Sequence, residues 1–74
     1  MKSLNIKITG LHDVYEFLQH ATQVDGDVTL LRGKYAVDAK SILGVFSMDL
    51  SNEVVVQYPA TALTFDEYIL QFAV

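Results

Sequence analysis

Three consecutive valines, Val54-Val55-Val56, run into Gln57, Tyr58 and Pro59, and they constrain this chain more than any other stretch. β-Branched residues fit a pleated strand. A strand apolar on successive positions presents apolar side chains on both faces, as expected for a central place in a sheet. Pro59 lacks an N–H and stops the strand. A central strand needs neighbours on both sides, so other stretches must supply them.

The stretches with a period of two are easily found. Leu4, Ile6 and Ile8 alternate with Asn5, Lys7 and Thr9, the mark of a half-buried strand, and Gly10 permits a change of direction after it. Val28 and Leu30 alternate with Thr29 and Leu31. Arg32-Gly33-Lys34 then reads as a tight turn and Tyr35-Ala36-Val37 as a returning strand, so these two form an antiparallel hairpin.

Between the strands the period becomes helical. Val14, Phe17, Leu18 and Ala21 make an apolar stripe, with Asp13 and Glu16 as a capping box, Thr9 as a rival cap and Asp25-Gly26 as the stop. Thr64 and Glu67 offer a second capping box, ahead of a stripe of Phe65, Tyr68, Ile69 and Phe72. The middle helix lies in residues 38–50, Asp-Ala-Lys-Ser-Ile-Leu-Gly-Val-Phe-Ser-Met-Asp-Leu. Ser41 is placed to cap it, and Ile42, Val45 and Phe46 share one face. Gly44 costs about 1 kcal/mol against alanine in a helix and is best tolerated where something approaches the backbone closely. Asp49, Ser51 and Asn52 supply the stop. The element order is β-α-β-β-α-β-α. An α+β fold, with one antiparallel sheet and helices on one face, buries these stripes.

At 74 residues the chain reads as a single domain, residues 1–74, with a thin core, and its 51% hydrophobic content argues against disorder. It has no cysteine, which excludes disulfides and thiolate metal sites. Its formal charge of -4 disfavours nucleic acid as a partner. No apolar run approaches the roughly 18 residues of a membrane span, and the start lacks a signal-peptide block. A cytoplasmic protein without cofactor or metal is expected.

The segment around Ser41 resembles the regulatory-serine segment of HPr, the small phosphocarrier of the bacterial phosphoenolpyruvate:sugar phosphotransferase system. The family pattern Lys-Ser-Ile-Met-Gly-Val-Met-Ser-Leu is matched at Lys40, Ser41, Ile42, Gly44, Val45 and Ser47, with Leu43, Phe46 and Met48 as apolar replacements. The resemblance covers nearly the whole chain, with a shorter last helix. It implies an open-faced sandwich with sheet order 1-4-2-3. It also implies regulatory phosphorylation at Ser41 and partner contacts through Ile42, Leu43, Phe46 and Met48. The partners implied are enzyme I, enzyme IIA, the HPr kinase/phosphorylase or a transcriptional regulator.

The family's carrier histidine lies in Gly-Ile/Leu-His-Ala-Arg-Pro-Ala. Here that place reads Gly10-Leu11-His12-Asp13-Val14-Tyr15-Glu16, so His12 is the phospho-acceptor candidate. Imidazole is nucleophilic near neutral pH, and a helix N-terminus favours an anion. The arginine of the motif is replaced by Val14 and the proline by Tyr15. Asp13 and Glu16 would repel a phosphoryl group on the order of 1 kcal/mol each, where an arginine fork would have stabilised it. The expectation is a phosphocarrier, or a degenerate one with an impaired motif, acting as a phosphoryl carrier rather than a true enzyme. The alternative is a non-carrier regulatory module controlled through Ser41. His20 and the four tyrosines are expected at surface or edge positions.

Overall fold

The computed structural model describes residues 1–74. Four strands, β1 (Lys2–Ile6), β2 (Thr29–Arg32), β3 (Tyr35–Asp38) and β4 (Val54–Tyr58), form one antiparallel sheet in the order β1-β4-β2-β3. Helices α1 (Leu11–Thr22), α2 (Ile42–Ser47) and α3 (Leu63–Ile69) cover one face, and a 3-10 turn over Leu70–Phe72 follows α3. The order of elements and of strands is the expected one.

The valine strand lies at the centre, with Leu4 and Leu30 both opposite Val56. Its period of two persists despite the unbroken apolar run. Val54, Val56 and Tyr58 are buried beneath the helices, while Val55 and Gln57 are half-buried on the open side. The expectation of full apolar cover on both faces is therefore met on one only, because all three helices pack on the same side.

β2 and β3 join through Gly33-Lys34, with Arg32 opposite Tyr35. Gly33 takes φ 57°, which costs a residue with a Cβ about 1 kcal/mol or more. The other edge of the sheet is covered by the chain's own last residues. Ala73 pairs with Ile6, Val74 N–H donates to Asn5, and Lys7 N–H donates to Phe72. β1 is thus shorter than the alternation that runs to Thr9, yet Ile8 stays in the core and donates its N–H to the Leu50 carbonyl.

The core joins Ile6, Ile8, Leu30, Val54 and Val56 of the sheet region to Phe17, Val45, Phe65 and Ile69 of the helices. Tyr58, expected at an edge, is buried among them. It is accommodated because its hydroxyl donates to Asp66 Oδ1 at 2.5 Å, and the same oxygen receives the Lys2 ammonium at 2.9 Å. No helix is long and apolar enough to cross a membrane.

Neither expected capping box forms. The N-cap of α1 is Gly10, one residue after Thr9 and three before Asp13, and no side chain caps it. Glycine is itself a good N-cap, and Asp13 lies back over it, 3.4 Å from where a Cβ would stand. The N-cap of α3 is Ala62, so Thr64 and Glu67 both lie inside the helix.

Candidate functional site

The loop after β1 delivers Gly10 and Leu11 to the open end of the helical layer, and α1 starts there. Because the helix begins at Leu11, His12 sits within its first turn rather than ahead of it. From that position the imidazole reaches the residue four along. His12 Nε2 stands 3.4 Å from Glu16 Oε1, and the histidine side chain is 83% exposed. Asp13 is in the same turn. An exposed imidazole beside two carboxylates is accessible to another protein, but a phosphoryl group on it would find repulsion and no arginine fork.

α2 is capped as expected. Ser41 Oγ accepts from Gly44 N–H at 3.2 Å, and Ser41 is exposed. Gly44 lies over β3, where an added Cβ would stand 3.2 Å from the Asp38 carbonyl and 3.3 Å from Val37 Cβ. The glycine is the close approach that lets so short a helix seat on the sheet. Lys40 anchors the entry, its N–H on Asp38 Oδ1 at 2.9 Å and its ammonium on the Val24 carbonyl at 2.7 Å. At the other end Asp49 takes φ 53° and its Oδ1 accepts from Ser51 N–H and Oγ–H. Those bonds, the Ser51 hydroxyl's first, hold the Asp49 carboxyl below the usual range.

The candidates on α2 divide. Leu43 is 81% exposed, and Ile42 and Phe46 are also exposed. Met48 is not part of that surface. It is 5% exposed and packs in the core, because the position after the last turn of α2 points at the sheet beside Val45. The exposed surface gains residues from α1 instead. Tyr15 meets Phe46 edge to face with centroids 5.4 Å apart, and Leu11 is exposed next to them. Leu11, Val14, Phe46 and Asp49 line one shallow cleft of about 200 Å³. Tyr15 was legible only as an amphipathic edge residue, since nothing in its spacing announces a partner on another helix.

The first turn of α1 and the apolar side of α2 are therefore neighbours. Ser41 lies at the far end of α2, about 7.5 Å further along its axis by helical rise. The clefts elsewhere do not reach His12. One, of about 590 Å³, lies between the hairpin and α2 against Arg32, Lys34, Tyr35 and Ser47. Another, of about 440 Å³, lies between His20 and Thr64. No group of three or more His, Cys, Asp or Glu side chains gathers as metal ligands.

No protein-family model and no curated protein matches the sequence. The solved structures do offer a match. A crystal structure of HPr-C-His from Thermoanaerobacter tengcongensis superposes over 96% of this chain and 93% of its own, with a TM-score of 0.76 at 23% identity. The fold is that of HPr. Its sheet order and helix placement are those of this chain, and the resemblance read around Ser41 is a resemblance of HPr architecture.

His20, expected on the surface, is half-buried in this HPr-like fold. Its ring stacks on Tyr68 of α3 with centroids 3.7 Å apart and planes 12° apart. The Tyr68 hydroxyl is buried without a hydrogen-bond partner. Burial first, then the negative charges of Glu16 and Asp13, push that phenol up to about 12.

Proposed function

We propose that residues 1–74 form an HPr-like cytoplasmic protein of the phosphotransferase-system type whose docking function outweighs its carrier function: a degenerate phosphocarrier. The observation that carries this reading is the Tyr15–Phe46 contact, which joins the exposed apolar residues of α1 and α2 into one surface beside His12. Contiguous exposed apolar residues mark protein contact sites. His12 stands at the edge of that surface, as a carrier histidine must, but its near neighbours are Asp13 and Glu16. Partner proteins of the enzyme I, enzyme IIA or HPr kinase/phosphorylase kind, or a transcriptional regulator, would meet Leu11, Tyr15, Ile42, Leu43 and Phe46.

A second reading makes the protein a regulatory module switched at Ser41. It is favoured by the exposure of Ser41 at the entry of the same apolar helix. Phosphorylation there would place about two negative charges at the rim of the docking surface without removing any residue from it.

The test of docking is a titration of the isotopically labelled protein with enzyme I, an enzyme IIA and the HPr kinase/phosphorylase in turn, following backbone amide shifts. Shifts centred on Tyr15, Leu43 and Phe46, abolished by Leu43→Asp, are expected with at least one of them. Shifts confined to the open sheet face, or none with any, would remove the reading.

A further inference from the structure

We infer that two copies of this chain associate through the free edge of β3, their sheets joining antiparallel about Ala36. The inference is independent of the docking reading, whose surface lies on α1 and α2.

The edge is open in its backbone. Ala39 N–H donates to the Val28 carbonyl at 2.8 Å, one step beyond the Thr29–Asp38 pair. Bonded and unbonded pairs alternate along an antiparallel ladder. The bonded pairs are therefore Leu30–Val37 and Arg32–Tyr35, and Ala36 and Asp38 turn their backbone groups away from β2. Because the peptide bond is planar, the Lys34 carbonyl also points outward, opposite the Tyr35 N–H. Ser41 N–H takes up the Asp38 carbonyl. That leaves the N–H and carbonyl of Ala36, the Asp38 N–H and the Lys34 carbonyl facing outward on exposed residues. Such an edge is a template for a further strand. The opposite edge, along β1, is already covered by Ala73 and Val74.

The side chains commit this edge to a second copy. In a two-fold register centred on Ala36, each Ala36 N–H donates to the Ala36 carbonyl of the other copy, and each Asp38 N–H to the other Lys34 carbonyl. The same register sets Lys34 opposite Asp38 twice, and Tyr35 opposite Val37 twice. Neither Lys34 nor Asp38 makes an ion pair within its own chain. Tyr35 is 75% exposed, and the cleft of about 590 Å³ beside it is lined by Val37, Ser47 and Met48. The place opposite Val37 brings the second copy's Tyr35 to that cleft. Charge and shape are thus self-complementary along the strand. The seam is short against a standard interface, so the dissociation constant expected is about 0.1–1 mM.

Sedimentation equilibrium of the full chain from about 10 µM to about 2 mM tests the inference, with amide spectra of the labelled chain followed on dilution. A monomer–dimer equilibrium is expected, with the dilution shifts on Ala36 and Asp38. Ala36→Pro deletes an N–H that no bond of the fold uses, and abolishes the dimer. Lys34→Glu alone and Asp38→Lys alone each set like charges opposite and weaken it about tenfold. An equimolar mixture of those two variants has both opposite-charge pairs again in the heterodimer, and returns to the wild-type range. Lys7→Glu makes the same change in net charge away from β3 and has no effect.

A monomer at the highest concentration would overturn the inference. So would a dimer whose dilution shifts fall on Tyr15, Leu43 and Phe46 rather than on β3, or one that the mixed charge variants do not restore.

Discussion

Tyr15 of α1 and Phe46 of α2 meet edge to face with ring centroids 5.4 Å apart, both partly exposed. Aromatic pairs of this geometry contribute about 0.5–1.5 kcal/mol beyond the area they bury. Here the pair also welds two short elements into one surface. Neither residue lies in the core cluster, so the contact leaves apolar area facing water that a folded chain has no need to expose.

Stability should fall at both extremes of pH through one small network. The Asp66 carboxyl is held below its usual range, first by the Tyr58 hydroxyl and then by Lys2. A depressed carboxylate stabilises the fold above its unfolded value of about 3.9 and stops doing so as pH falls through the lower folded value. Burial and Asp66 push the Tyr58 phenol up to about 12. The fold favours its neutral form, so that contribution is full below about pH 10 and disappears as pH rises towards the folded value. Urea unfolding across pH should show both losses. Tyr58→Phe should blunt the alkaline loss that ionisation of Tyr58 causes and cost about 1 kcal/mol at neutral pH.

Tyr68→Phe should stabilise the protein. Its hydroxyl is buried without a partner, and an unsatisfied buried group costs about 1–3 kcal/mol. Phenylalanine keeps the stack on His20 and removes that cost. Thermal unfolding should show a higher midpoint for the variant, whereas an unchanged or lower one would mean that the hydroxyl is satisfied in solution.

Two glycine substitutions should rank in a fixed order. At Gly26, φ is 121° and an added Cβ would stand 2.9 Å from Pro59 Cγ. At Gly33, φ is 57° and nothing is near. Gly33→Ala should cost about 1 kcal/mol from backbone strain alone. Gly26→Ala adds a steric clash and should cost about 2–3 kcal/mol. Denaturant midpoints of the two variants check the order.

These glycines also show why some of the fold was legible in the sequence and some was not. Period and turn chemistry are local, so the strand order of appearance, the hairpin and the Ser41 cap could be read from residues close in sequence. Helix entry was not. Gly10 and Ala62 cap without side chains, and the more conspicuous Asp13 and Thr64 lie inside their helices. The exposed apolar surface was legible where it is contiguous, at Leu43 and Phe46. It was not where it depends on contacts across helices, which drew Tyr15 into the surface and left Met48 in the core. The burial of Tyr58 was hidden for the same reason, since its acceptor comes from α3.

Ser41→Ala should destabilise the protein by about 1 kcal/mol through loss of the bond to Gly44 N–H. Ser41→Asp should keep most of that stability, since aspartate caps as well. Chemical denaturation separates the two. If the aspartate variant retains stability but loses affinity for a partner that wild type binds, Ser41 acts on the docking surface rather than on the fold.

The balance between docking and carriage is tested most directly by incubating the protein with enzyme I and phosphoenolpyruvate and measuring acid-labile phosphate, with His12→Ala alongside. The predicted result is little or no label within a time that fully labels a competent HPr, and the same level in His12→Ala. Rapid stoichiometric labelling that His12→Ala abolishes would contradict it, and would show that the histidine carries phosphate in spite of Asp13 and Glu16.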